Sequence, residues 1–366
     1  MKPRRHLTAL LFLTPNLLGF AAFTLVPVLL SLAGSFTNWS LRPAAGLRFV
    51  GADNYTRLLT DKNFWFYLYN TGYLLLALPF AIGGALFLAV QLHDGFAFRR
   101  ARRGPRLATG ALAIAIVSSG ALYFTGSPNI AYVSLTLGLV AAAGLAFGPV
   151  TYRTVFYLPH FTAGAATILL WTQLYNPNFG LVNHAIEGVA GLLGFEIEGP
   201  GWLTSTKSLL GFLPLPGHFN NGGFGLGARE AIMVMGLWTA IGGNNLILFL
   251  AGLSNIPPEL NEAAEIDGAS RWQRFRHVTF PQLAPTTFFI VVISLIGGLQ
   301  GGFEQARLMT AGGPAGTTTT LSYYIYVQGF ERLDLGYGSA VAWVLFSLVF
   351  GLTLLQWRYG RRDGAD

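Results

Sequence analysis

The chain has 366 residues, 52% of them hydrophobic and only 11% charged, with a mean hydropathy of +0.50. A soluble domain carries about 25% charged residues, and the shortage here is concentrated in long charge-free runs, which disfavours a disordered chain, a soluble enzyme and a nucleic-acid-binding protein. The formal charge of +7 does not restore a nucleic-acid partner, because basic residues beside apolar spans report orientation.

In chain order, the first apolar run extends from Leu7 to Gly34 behind Arg4 and Arg5. It exceeds the roughly 7–15-residue core of a signal peptide and reads as an uncleaved anchor. Further runs follow at Phe66–Leu92, Leu107–Thr125, Asn129–Pro149, Thr154–Leu174, Ala231–Leu253, Thr286–Phe303 and Gly336–Trp357. About 20 apolar residues cross a bilayer core, so the expectation is an all-α polytopic membrane protein with about eight transmembrane helices. Placing the N-terminus inside puts Arg4, Arg5, the Arg99–Arg106 cluster, Arg153, Arg271–Arg276 and Arg358–Arg362 on the inner side. Arg42, Arg48, Arg57, Arg229, Arg307 and Arg332 then fall outside. The inner excess has the sign the positive-inside rule requires, and both termini are expected in the cytoplasm. Trp39, Trp65, Trp202, Trp357 and Tyr359 lie near span ends and read as interfacial anchors.

One inner loop differs from the others. Pro257 and Pro258 suit the opening of a helix, where a missing N–H costs nothing. Glu259 and Glu262 complement its dipole, and Gly268 suits a left-handed terminus. Ser270 with Gln273 matches a capping box for a second helix. A short helix–turn–helix against the membrane face is expected. Ala263 and Ala264 leave one face thin enough for close approach, and Glu262, Glu265 and Asp267 offer charge to a cationic partner. A solvated amphipathic loop is the plainer alternative.

The residues Glu262-Ala263-Ala264, then Gly268 after three intervening residues, then Val278-x-Phe280-Pro281 resemble the EAA loop of binding-protein-dependent ABC importer permeases. Val278 and Phe280 stand where that pattern has Ile and Leu. Val50-Gly51-x-x-Asn54-Tyr55, Tyr175-Asn176-Pro177-x-Phe179-Gly180 and Leu308-x-Thr310-x-Gly312-Gly313-Pro314 are similar to segments of its carbohydrate-uptake branch, in the same order. The likeness is to the maltose- and glycerol-phosphate-type first permease subunit. It implies a six-helix type I permease core in a single domain over 1–366, with an inserted hairpin at 93–152 and the coupling loop at 254–281. An even number of added crossings keeps the Glu262 loop inside.

The resemblance further implies that Glu262, Ala263, Ala264, Asp267 and Gly268 couple to an ATPase. It places sugar near Ile241, Asn244, Ser294, Gly297, Gly298 and Gly301. Its implied partners are a second permease subunit, two ABC ATPase subunits, an extracytoplasmic sugar-binding protein and the lipid bilayer. Residue chemistry supports part of this, since polar Asn244 and Ser294 within apolar spans should face a cavity or a partner. The glycines fit tight helix packing equally well. His160 reads as packed or interfacial, and Glu304 as an outer-interface residue.

There is no cysteine, hence no disulfide, thiolate metal site or cysteine nucleophile. No G-x-x-x-x-G-K-[ST] or H-E-x-x-H motif occurs, so no catalytic residue, metal or cofactor is expected, and ATP is expected on a partner subunit. A secondary transporter or channel would want intramembrane ionisable residues or an inverted repeat. A membrane transferase would want clustered Asp, His or Arg at an interface. Neither pattern is seen in the sequence.

Overall fold

The computed structural model describes residues 3–42, 46–93, 104–124, 156–160, 164–216 and 222–360, with a few single positions between them. Among the described residues regular structure is helical, with three isolated β-bridges and no longer strand. Five helical segments are long and apolar enough to span a bilayer: Phe12–Ser35, Lys62–His93, Ala228–Ser254, Ala284–Thr310 and Leu335–Arg358. Shorter apolar helices, Ala108–Phe124 and Ala165–Leu174, stand where two more spans were expected. Most of the Asn129–Pro149 run lies outside the described residues. The expected end at Phe303 is corrected: helical backbone resumes after a break and continues to Thr310.

Small residues decide how the spans meet. Ala81, Ala85 and Ala89 recur every fourth position, which places them on one stripe of the helix, and all three are buried. With no large side chain there, the Asn244–Ser254 helix approaches closely and lays Leu246, Phe249 and Leu253 against the stripe. Leu92, Leu253 and Leu283 share this cluster. The ends of two spans and the start of a third therefore meet at one end of the bundle, where the Glu262 loop emerges.

The opposite end is closed by polar contacts from the 36–61 segment. Asn54 donates through Nδ2 to the carbonyls of Ser35 and Thr37, both at 2.9 Å. These carbonyls end the Val26–Ser35 helix and would otherwise lack partners. Ser40 pairs with Asp334 as an isolated bridge, fastening this segment to the start of the last span. Trp202 is corrected here. It is only 5% exposed, lies tilted against Tyr175 with ring centres 5.1 Å apart, and donates to Asn183 Oδ1 at 2.7 Å. Its indole N–H has a protein partner, so it braces the outer loop, whereas Trp39, Trp65 and Trp357 remain exposed.

Asp61 knots the same outer end. Its Oδ2 accepts from the hydroxyls of Tyr324 at 2.5 Å and Tyr337 at 2.8 Å, and its Oδ1 from the Asn63 amide at 2.9 Å. Burial pushes this carboxyl up, but the two hydroxyls, the amide and the charge on Arg57 together hold it below its ordinary value. A depressed carboxyl contributes stability above its unfolded pKa near about 4, and that contribution is lost as pH falls through the folded value. Asp61→Asn is expected to lower the melting temperature at neutral pH and to shrink the loss on acidification below about pH 4. Thermal melts in detergent across that range check both, and an unaltered acid response would remove Asp61 from the account.

Candidate coupling loop and solute cavity

The Glu262 loop is two helices joined by a closed turn. Pro258–Ile266 has Pro257 at its N-cap, and none of its residues is buried. At its end Gly268 adopts φ +80°. The Gly268 amide donates to the Glu265 carbonyl at 3.1 Å and the Ala269 amide to the Ala264 carbonyl at 2.9 Å. That pair of bonds is the Schellman arrangement, and it needs a residue without a Cβ penalty in the left-handed region. The second helix, Arg271–Arg274, starts in the expected capping box. The Ser270 amide donates to Gln273 Oε1 at 2.7 Å, and the Gln273 amide to Ser270 Oγ at 3.3 Å. Arg274 reaches back to Glu265 at 2.8 Å, an exposed ion pair worth about 0.2–1 kcal/mol. Glu262, Ala263 and Asp267 point out from the bundle. A cleft of about 320 Å³ lies in the bend among Ala264, Asp267, Gly268, Arg274 and His277.

Two spans break where a second cavity opens, beside a gap between two shorter helices. Residues 156–160 are helical, and beyond that gap, the first of the three interruptions, another helix begins at Ala165 after Gly164. Ala228–Ile241 ends at Gly242, and Asn244–Ser254 starts after Gly243. Ala284–Gln300 ends at Gly301, and Gly302, at φ +83°, turns the chain into Phe303–Gln305. A Cβ at Gly242 would overlap the Phe156 carbonyl oxygen, so only glycine lets the second break approach the 156–160 helix this closely. The cavity holds about 400 Å³. The first break contributes Pro159, His160, Gly164 and Thr167, the second Thr239, Ala240, Asn244 and Asn245, and the third Glu304 and Gln305. Tyr157 donates its hydroxyl to Asn244 Oδ1 at 3.4 Å. Non-helical backbone at membrane depth is tolerated where it lines a cavity or is buried in protein. Solute sites of transporters are commonly built at such broken helices.

The six residues associated with sugar in the sequence are thus divided. Asn244 lines the cavity. Ile241 packs on Gly84, where an added Cβ would meet its Cδ1 at 2.9 Å. Gly298 faces Leu75, 2.6 Å from where its Cβ would stand, and Ser294 lies one turn before it on the same helix. Gly297 borders open space, and Gly301 marks the break itself. His160, Glu304 and Gln305 line the cavity and were not singled out for it. Glu304 and Gln305 could have been signalled only by following the glycine pair at 301–302, whereas the approach of His160 to Gly243 is a tertiary contact.

Sequence reasoning also placed Arg229 in an external segment; the structure keeps it at the outer end but buries it in the first turn of a helix. Arg229 is 2% exposed and Glu230 1%, at the outer end of Ala228–Ser254. The Arg229 guanidinium donates to Asn70 Oδ1 at 2.8 and 3.1 Å and to the Thr317 carbonyl at 3.1 Å. Asn70 Nδ2 in turn donates to the carbonyls of Gly316 at 2.9 Å and Thr319 at 3.0 Å. Glu230 accepts from the Tyr73 hydroxyl, from the Leu209 amide at 2.9 Å and from the Gly227 amide at 3.0 Å. This network stitches two spans to the turn that follows Gly312-Gly313-Pro314.

Comparison with known proteins agrees with this architecture. The family described as "Binding-protein-dependent transport system inner membrane component" matches residues 107–360. The chain is 28% identical to the probable ABC transporter permease protein YesP of Bacillus subtilis, over 96% of this chain and 90% of that protein. It is 34% identical to the sn-glycerol-3-phosphate transport system permease protein UgpA of Yersinia pseudotuberculosis, over 64% of this chain and 72% of that protein. A solved bacterial ABC transporter involved in the import of the acidic polysaccharide alginate has a chain of the same fold. Its TM-score is 0.68 at 21% identity, covering 98% of this chain and 96% of that one.

Proposed function

The chain belongs to the family of binding-protein-dependent transport system inner membrane components, and on that footing we propose that it forms one half of the translocation path of an ATP-driven sugar importer. As a member of that family it is a multi-pass inner-membrane permease component. The Glu262 loop is the lever: Glu262, Ala263, Ala264, Asp267 and Gly268 dock on a separate ABC ATPase. A second permease subunit completes the path, a pair of ATPase subunits drives it, and an external binding protein delivers the sugar. The cavity at the three helix breaks receives it, with Asn244 among its polar groups. Ile241, Ser294, Gly297, Gly298 and Gly301 set the packing and breaks around it. We expect the inserted segment at 93–152, much of which lies outside the described residues, to add a hairpin.

The observation that carries this reading is the exposed helix–turn–helix at the end of the bundle where Leu92, Leu253 and Leu283 converge. It is held rigid by its own caps and buries none of the residues of its first helix. Affinity purification of the tagged chain from native membranes is expected to bring down an ABC ATPase in stoichiometric amount. Glu262→Lys should keep the chain in the membrane and lose both the ATPase and energised uptake. Recovery of the wild-type chain with no ATPase, under conditions that keep its permease partner, would favour a transporter independent of ATP.

A further inference from the structure

Charge around the cavity narrows the solute, given the importer reading above. We infer that the cavity selects uncharged, polyhydroxylated solutes over anionic ones, and that Glu304 is the residue that discriminates. Thr167, Thr239, Asn244, Asn245 and Gln305 supply neutral donors and acceptors at the described part of the wall. Glu304 supplies the full negative charge there, and its side chain is exposed. No Lys or Arg is among the described lining residues.

Arg307 lies one turn beyond Glu304 but is engaged elsewhere. Its guanidinium sits 4.4 Å from the centre of the Tyr326 ring and 5.8 Å from that of Phe303. Arg229 is committed to Asn70 and Thr317 in the outer network. His160 is the other ionisable group on the wall, with its ring 5.2 Å from that of Tyr157.

Phosphates and carboxylates are held by Arg forks or Lys, and pores for anions are lined by Arg or Lys while Asp and Glu favour cations. A carboxylate at the wall repels an anionic solute. It also accepts hydrogen bonds from paired hydroxyls, and these bonds are strengthened by its charge. The chain would therefore differ in solute class from importers of glycerol phosphate or of an acidic polysaccharide, although it resembles the first in sequence and the second in fold.

The sign of the cavity can be measured without knowing the solute. The chain has no cysteine, so single-cysteine variants need no prior substitutions. Thr239→Cys in the assembled transporter, in membrane vesicles, is reacted with a cationic and an anionic methanethiosulfonate of matched size. The ratio of cationic to anionic rates is expected to fall about fivefold to tenfold when Glu304→Gln is added, and further with Glu304→Arg. A Thr204→Cys control on the exposed outer loop should show the same ratio in each background. A Thr239→Cys ratio unmoved by Glu304→Gln, a faster anionic reaction with Glu304 in place, or no reaction with either reagent would overturn the inference. Loss of the co-purifying ATPase would sink the importer reading and leave these ratios unchanged, so the two failures are distinct.

Discussion

Gly268→Val is expected to reduce energised uptake at least tenfold while the chain stays folded in the membrane. At φ +80° a β-branched residue pays about 1–3 kcal/mol, and the cheapest relief is to abandon the left-handed turn. Doing so releases the bonds from the Gly268 and Ala269 amides and lets the two loop helices change their mutual angle. The loop lies outside the bundle and none of the Pro258–Ile266 residues is buried, so the spans lose no packing. The defect is therefore one of transmission: ATP hydrolysis persists on the partner but no longer moves the permease. Ser270→Ala provides the graded comparison, since losing the capping box costs about 1 kcal/mol and leaves Gly268 in place. Uptake and ATPase activity measured together in proteoliposomes check this. Uptake by Gly268→Val within twofold of wild type would show that the bend is not the lever.

Arg229→Leu should act in the opposite way, on the amount of folded protein. The side chain is buried and shares Asn70 Oδ1 and the Thr317 carbonyl with neighbouring elements. Removing it strands those acceptors and leaves the buried Glu230 without a nearby cation. Breaking a buried charged arrangement on one side costs about 3–5 kcal/mol, against a total stability of about 5–15 kcal/mol for a typical domain. Most of the variant should be lost from the membrane, and the remainder should melt earlier in detergent. Arg229→Lys keeps the charge but not the planar fork that meets two acceptors at once, so its loss should be intermediate. A melting temperature for Arg229→Leu equal to wild type would mean that the network is dispensable.

Both variants probe features that differed in how far the sequence revealed them. The bend was legible because every signal was local: Pro258 at the start, Gly268 at the end, Ser270 and Gln273 three apart. Local chemistry closes such a turn whatever the rest of the molecule does. The network around Arg229 was not legible. Its partners Asn70 and Thr317 lie far away in sequence, and an arginine near a span end reads the same whether it faces water or a buried acceptor. The Trp202 anchor failed for the same reason, since its partner Asn183 belongs to the outer loop. The glycines at 297, 298 and 301 read equally as packing or as cavity lining, and only the structure separates Gly298, packed on Leu75, from Gly301, which marks a break.

By itself, then, the sequence determined the class of molecule, the places of its five long apolar spans and the helix–turn–helix closed at Gly268. Each follows from hydrophobic length, charge placement or turn chemistry within a few residues. Tertiary structure alone decided that three helix interruptions meet around one cavity, that Glu304 stands at its wall and that Arg229 is buried. Those facts depend on which helices touch. In a chain built almost wholly of apolar helices that choice rests on small residues such as Ala85 and Gly242, whose identity says that something comes close but not what.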